Sequence, residues 1–390
     1  MSIIEATVRN FFVNSGIVLN GSRSWDIKIN KRGFYKKVFS RKSLGFGESY
    51  VDGDWDCANL PQLFHMLALA KEEKSKSYRS NVIYKLKSRL LNLQNRRRSL
   101  EVAQHYNLSN KMYENMLDDL HMQYSCAYYD DGATTLGEAQ SDKLDMICRK
   151  LCLEPGQRVL EIGGGWGGLA KYMAENYGVN VVSVNISDEQ IKYARNLCNK
   201  LPVDIVYKDY RDIGSLGQFD RVVSVAMFEA VGHRNFRMYM EKACGALKNN
   251  GIFLLHTIGG NITRAHPDLW ILNYVFPNGY IPSLHQIGTV SEGLFVVEDL
   301  HNLSLNYEKT LVEWRIRFNK NWLNIKKLDT KFDQRFYRLW NYYLSCCAGA
   351  FRSRNLQLWQ IVFTKYKSGT EVSQEALRGM RTNRMDQTQI

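Results

Sequence analysis

From residue 157 onward the chain alternates short apolar runs with stretches of helical period, and no other feature limits the fold as much. "RVLEIG" (158–163) reads as a buried strand and "GLAKYMAENY" (168–177) as a helix. "NVVSVNIS" (180–187), "VDIVYKDY" (203–210), "FDRVVSVAMFEAV" (219–231) and "IFLLHTIG" (252–259) read as four more strands. Between them, "DEQIKYARNLCNKL" (188–201) and "FRMYMEKACGALKNNG" (236–251) have helical spacing, with Gly251 as the expected cap of the second. A β-α-β-α-β series of this kind predicts a Rossmann-like parallel sheet with helices on both faces. Two further strands are expected near 295–301 and 356–365, with an aromatic-rich insert at about 266–345. The tail from 367 is polar and loses its periodicity.

In an open parallel sheet the ligand sits at the carboxyl ends of the strands. The first strand runs into "VLEIGGGWGG" (159–168), where Gly163, Gly165 and Gly168 have the spacing of a dinucleotide loop. A nucleoside without a pyrophosphate needs the same close backbone, so the glycines alone leave both ligands open. The acids discriminate. Glu161 precedes the loop by two residues and suits a cation, such as the α-ammonium of a methionine moiety. A dinucleotide site wants its acid at the tip of the second strand, and that tip reads Asn185–Ile186–Ser187. Asn185 and Gln190 are neutral candidates for a ribose. Asp209 after the third strand offers a carboxylate to an adenine amino group, with Tyr210 or Arg211 available to the ring. This arrangement favours S-adenosylmethionine over a nicotinamide dinucleotide.

The rest of the chain adds charge. Residues 1–105 hold 19 Lys/Arg against 9 Asp/Glu, which is +10 of the total +13. Lys31, Arg32, Lys36, Lys37, Arg41, Lys42 and the triplet Arg96–Arg97–Arg98 contribute. Such a field attracts an anionic polymer or an anionic lipid surface. Helical patterning is expected over 60–70, 78–98 and around 121–131, with a turn-rich stretch at 43–56 and a helix at 136–152. No window reaches the roughly 18 apolar residues of a membrane span, and the N-terminus lacks signal-peptide features, so a cytoplasmic protein is expected. The eight cysteines are scattered without a metal-ligand pattern and are expected to be reduced thiols, with no metal bound.

Several stretches then combine. "HMQYSCAYYDD" (121–131), "VLEIGGGWGG", "YKDYRD" (207–212), "SVAMFEAVG" (224–232), "FLLHTIGG" (253–260), "YVFPNGYIPS" (274–283) and "CCAGAFRSRNLQLWQIVF" (346–363) follow one another. Together with "SLGFGESYVDGDW" and "LNLQNRRRS" nearer the N-terminus, they resemble the cyclopropane-fatty-acyl-phospholipid synthases along nearly the whole chain. The resemblance implies an α/β fold: a Rossmann-like class I methyltransferase sheet with helices on both faces, plus a smaller, mainly helical N-terminal domain. The division expected is a basic lipid-docking domain at 1–105 and a catalytic domain at 106–390.

The implied reaction passes the sulfonium methyl of S-adenosylmethionine to a cis double bond of a phospholipid acyl chain. A proton is then lost and a cyclopropane ring closes. A bound bicarbonate is implied as base, held by Cys126, Glu229, His256, the Ile258 backbone and Tyr307. Tyr124 and Ser125 match the segment that closes over the cofactor, and Cys347 matches a cysteine regarded as a possible nucleophile. The segment 269–282 is expected either to line the acyl channel or act as a lid, or to be an ordinary buried helix and turn. The expected partners are an anionic bilayer, met peripherally on the inner face of the membrane, and a second copy of the chain; nucleic acid is not expected. Two departures stand out: Gly164 replaces a cysteine common in the loop, and Ala230 replaces a histidine common after the glutamate.

Overall fold

The computed structural model describes residues 2–74, 109–264 and 268–369. The expected helix at 78–98, the Arg96–Arg98 triplet and the tail beyond 369 lie outside them. The chain forms two compact units: residues 1–92, 264–279 and 307–356 make the first, and 93–263, 280–306 and 357–390 the second. The first unit therefore takes in two stretches of the aromatic-rich insert as well as the N-terminal region.

The second unit is built on a seven-stranded sheet. Its strands are β1 (Arg158–Ile162), β2 (Asn180–Asn185), β3 (Val203–Tyr207), β4 (Phe219–Val225), β5 (Leu247–Gly260), β6 (Phe295–Asn302) and β7 (Leu356–Lys365). They lie in the order β3-β2-β1-β4-β5-β7-β6. β1 to β5 pair in parallel, and β6 runs antiparallel to β7 at the edge. Alternation along each strand supplies both faces. Leu160, Ile162, Phe253 and Leu255 join one apolar cluster, whereas Val159, Ile252 and Leu254 join the other. A sheet covered on both sides explains why its strands read as near-continuous apolar runs.

Three local expectations are corrected. Helix Phe236–Ala246 stops five residues before Gly251, which lies inside β5. A Cβ at Gly251 would come within 2.9 Å of the Asp220 carbonyl, so the glycine serves close strand packing rather than a helix cap. The stretch 121–131 is not helical. Instead, Asp118 takes hydrogen bonds from the backbone amides of Leu120, His121 and Gln123, which holds the start of this stretch in turns. Residues 43–51 are helical, part of a helix Gly33–Val51 broken at Lys42. Its glycines are there for contact: a Cβ at Gly47 would come within 2.3 Å of the Trp270 ring. The helix after Gly132 spans Leu136–Lys150, closed at its start by a Thr135–Glu138 capping box.

The first unit is held by aromatic rings. Phe46 stacks on Trp55 at 4.4 Å, and the Trp55 indole donates to the Phe46 carbonyl and to Ser49 Oγ, both at 3.1 Å. Tyr342 on helix Gln334–Arg352 meets Phe64, Tyr50 and, at 4.2 Å, Trp270. Trp270 is fully buried and anchors the short helix Leu269–Tyr274 in this core, while Asn273 and Tyr274 of the same helix are exposed. Part of the basic surplus is matched by acids: Lys37 bridges Asp52 and Asp54, Lys31 pairs with Asp54, and Arg41 pairs with Glu48. Arg32, Lys36 and Lys42 are exposed. Among the described residues no helix is long and apolar enough to cross a membrane.

Candidate active site

The residues singled out at the strand ends gather in the second unit. Gly163 (φ +89°) and Gly165 (φ +53°) turn the chain out of β1 in a conformation that side chains resist. At Gly164 the reason is space: a Cβ would stand 1.8 Å from Ser183 Oγ and 2.7 Å from Glu161 Oε2. Glycine at 164 therefore fits this loop as it is built. Gly168 is equally close to the His121 carbonyl, which sets the loop against the start of the 121–131 segment.

Glu161 is buried on β1 opposite Ser183 of β2, whose hydroxyl donates to it at 2.6 Å. Burial pushes its carboxyl up to about 7, against the pull of Ser183 and of the Lys143 charge. Lys143 is itself fully buried, donating to Gln123 and, at 3.1 Å, to Ser125 Oγ. Burial lowers it to about 8, while Asp118, Cys126 and Glu161 favour its charge. Ser125 is held from both sides, since its carbonyl also accepts from Gln140 at 2.9 Å. Tyr124 packs at 5.2 Å from the Tyr113 ring.

The ribose and adenine candidates engage one another. Asn185 donates to Gln190 at 3.0 Å and to the Gly165 carbonyl at 3.2 Å, while its oxygen takes the Ile186 and Ser187 amides. Asp209 accepts from the Arg211 amide and is ion-paired with its guanidinium at 2.7 Å. Tyr210 is buried in the apolar core against Tyr239, with the Arg211 guanidinium over its ring at 4.6 Å.

Beyond β4 and along β5 lies a second group. Glu229 follows β4, and its Oε1 accepts from the Ile258 amide of β5. Its Oε2 is buried without a hydrogen-bond partner. Burial raises this carboxyl to about 7, and the Ile258 amide opposes the rise. His256 sits two residues before Ile258 on the same strand, so both side chains take the same face of the sheet. It is fully buried, and its Nε2 has no partner. Burial, with the charges of Lys143 and Lys150, holds its pKa well below the usual imidazole range. Cys126 is fully buried, its thiol 3.1 Å from the Ala127 carbonyl. Tyr307 and Cys347 lie in the first unit, Tyr307 buried with its ring 4.6 Å from Phe351 and Cys347 half-buried on helix Gln334–Arg352.

Sequence reasoning missed Lys143, Lys150, Ser183 and Gln360. Two lysines seven apart on one helix, in register with buried Leu136, Gln140 and Ile147, were a signal available in the sequence. Ser183 inside "NVVSVN" was another.

Residues 93–361 match the family described as mycolic acid cyclopropane synthetase. The chain belongs to that family. It is 48% identical over 353 residues to the cyclopropane-fatty-acyl-phospholipid synthase of Escherichia coli K12, covering 90% of this chain and 91% of that one. It is 32% identical to the tuberculostearic acid methyltransferase UfaA1 of Mycobacterium tuberculosis, over 81% of this chain and 78% of the relative. Among solved structures, mycolic acid cyclopropane synthase CmaA1, complexed with SAH and CTAB, is 28% identical with a TM-score of 0.63, covering 69% of this chain and 98% of that one. Coclaurine N-methyltransferase, at 20% identity and a TM-score of 0.65 over 82% of this chain and 97% of that one, shares the fold alone. The chain is accordingly an enzyme, a methyltransferase of the cyclopropane synthase kind, and its class I methyltransferase sheet is the one expected.

Proposed function

We propose that this chain transfers a methylene group from S-adenosylmethionine to the cis double bond of unsaturated acyl chains in membrane phospholipids, forming a cyclopropane ring. The observation that carries the reading is the pair of buried, unpartnered polar atoms at the ends of β4 and β5, Glu229 Oε2 and His256 Nε2. An unmet buried polar group is costly and rare, so a polar ligand is the natural complement of both.

The cofactor end fits a cationic amino acid moiety. Glu161 is a buried carboxylate whose oxygen is already steered by Ser183, and the glycine loop leaves room for close approach. When bound, S-adenosylmethionine supplies an electrophilic methyl. Gly163, Gly165, Asn185, Gln190, Asp209, Tyr210 and Arg211 complete the proposed cofactor set, with Tyr124 and Ser125 closing over it. An alkene is a weak nucleophile, and the carbocation it gives is quenched by water, so orientation and dryness are what the protein must provide.

The donor set also fits a small oxyanion. The His256 imidazole would donate to it from Nε2, while the Ile258 amide holds Glu229 beside it, and a bound bicarbonate would supply the base for the final proton. A carboxylate raised to about 7 beside such an anion can share its proton and pass it outward, the role proposed for Glu229. Ala230 beside it removes one further acceptor from that path. Cys126 is proposed as a packing and weak-donor member. Tyr307, and Cys347 as nucleophile, rest on their motifs alone. Docking on an anionic bilayer from the cytoplasmic side is proposed through the exposed Arg32, Lys36 and Lys42 beside half-exposed Phe39, and a homodimer through the family likeness.

The test is direct. Purified protein, S-adenosylmethionine and vesicles of mono-unsaturated phospholipid should yield lipids heavier by one CH₂ per modified chain in mass spectrometry. RNA or DNA in place of vesicles should stay unmodified; methylation of nucleic acid with lipid untouched would overturn the reading.

A further inference from the structure

The interior of the second unit holds a lysine that the proposed reaction does not use. Lys150, at the end of helix Leu136–Lys150, is fully buried. Its ammonium lies 2.8 Å from Gln360 Oε1, 3.0 Å from His301 Nδ1 and 3.9 Å from the Asp299 carboxylate. An ammonium only donates. The side-chain amide of Gln360 must therefore turn its oxygen to Lys150 and its nitrogen the other way. That nitrogen stands 3.2 Å from His256 Nδ1. An amide NH₂ also only donates, so Nδ1 accepts and the ring proton belongs on Nε2, the atom left without a partner.

We propose that Gln360, oriented by Lys150, is a positioning residue that fixes His256 in its Nε2–H tautomer, making His256 a hydrogen-bond donor to the reacting site and not a base. The inference deepens the proposed function, and its mechanistic value rests on that reading of His256. Lys150 and Gln360 are 210 residues apart in sequence, on a helix and on β7. Gln360 is fully buried among Ile361, Val362 and Phe363, where an apolar side chain would fit the strand at lower desolvation cost. A polar relay kept in such a place has a task. With Nδ1 occupied by the Gln360 amide and Nε2 already protonated, His256 has no free lone pair for the substrate proton. The proton must go to another acceptor, in keeping with an anion and Glu229 as its route. The nearby Lys143 and Lys150 charges work in the same direction, because they oppose a cationic imidazole.

Nitrogen-15 NMR of histidine-labelled full-length protein tests this, with His256 assigned by its absence in His256→Asn. The expected result is an unprotonated, acceptor-type Nδ1 and a protonated Nε2 for His256. In Gln360→Glu the carboxylate accepts from the ring, so the proton should move to Nδ1, and lipid turnover should fall by about 10- to 100-fold with S-adenosylmethionine affinity unchanged. Gln360→Met, which removes the hydrogen bond without reversing it, controls for packing: at equal thermal stability it should retain more turnover than Gln360→Glu. A protonated Nδ1 in the wild type overturns the proposal, and so does a Gln360→Glu protein that folds with tautomer and turnover unchanged. If the tautomer is as expected but His256→Asn modifies lipid at the wild-type rate, the orientation stands and the catalytic reading of His256 fails instead.

Discussion

Both units bury aromatic rings, and they differ in the titratable groups placed beside them. The first fills its interior with rings: Phe12, Phe34, Phe46, Trp55, Phe64, Trp270 and Tyr342. The second has apolar clusters on both faces of its sheet, yet places Lys143, Lys150, Glu161 and His256 out of solvent between them and the strand ends. Ring burial stabilises through area and packing. Buried charge costs desolvation that partners only partly return. The first interior is what a stable fold selects, and the second is what chemistry requires, so substitutions should separate the two.

The widest separation is expected for Glu229→Gln. The amide keeps an oxygen for the Ile258 amide but cannot relay a proton, so lipid turnover should fall by about 10²- to 10⁴-fold while S-adenosylmethionine binding by calorimetry is retained. Unchanged turnover would remove Glu229 from the reaction. Trp55→Ala probes the other interior. It should cost about 3–5 kcal/mol in urea unfolding through the lost stack on Phe46 and the cavity left behind.

Gly164→Ala comes next, expected to destabilise by about 1–3 kcal/mol because its methyl meets Ser183 and Glu161. Adding Ser183→Ala should recover part of that loss, a coupling readable from the double-mutant cycle. A Gly164→Ala protein as stable as wild type would show that the loop is looser than its contacts imply.

The smallest effect is graded with pH. A raised carboxyl binds its proton more tightly in the folded chain than in the unfolded one. Glu161 therefore contributes a stability that is complete below the ordinary carboxylate range and is lost as pH rises through about 7. Cofactor binding runs the other way, since a cationic amino acid moiety needs the ionised form. Affinity should weaken by about tenfold for each pH unit below that value. Calorimetry across this window checks it, and Glu161→Gln should abolish the slope.

What could be read in advance follows from how each part is stabilised. β1 to β5 were legible because strands covered on both faces must be apolar throughout, and the loop at 163–168 because only glycine meets its geometry. Glu161 and Asp209 stood out by their place at strand ends, whereas Glu229 and His256 stood out only through the motifs shared with the synthase family. The helical 43–51 stretch was not, because Gly47 makes room for the distant Trp270 ring and Gly45 for the Lys37 carbonyl across the break at Lys42, and local composition imitates a turn. Lys143, Lys150 and Gln360 were hidden for a related reason. Singly they look like surface residues; the helical register of the two lysines marked a buried face, but only folding shows what Gln360 and the ammonium groups meet.

The central claim is that a donor methyl becomes a ring carbon on an acyl double bond. Supplying S-adenosylmethionine with a trideuterated methyl, together with mono-unsaturated phospholipid vesicles, tests it in one spectrum. The account predicts lipid that retains two of the three deuterons, the third having left as the proton taken before ring closure. Lipid that keeps all three, as a methyl branch would, or lipid that carries no label, would contradict it.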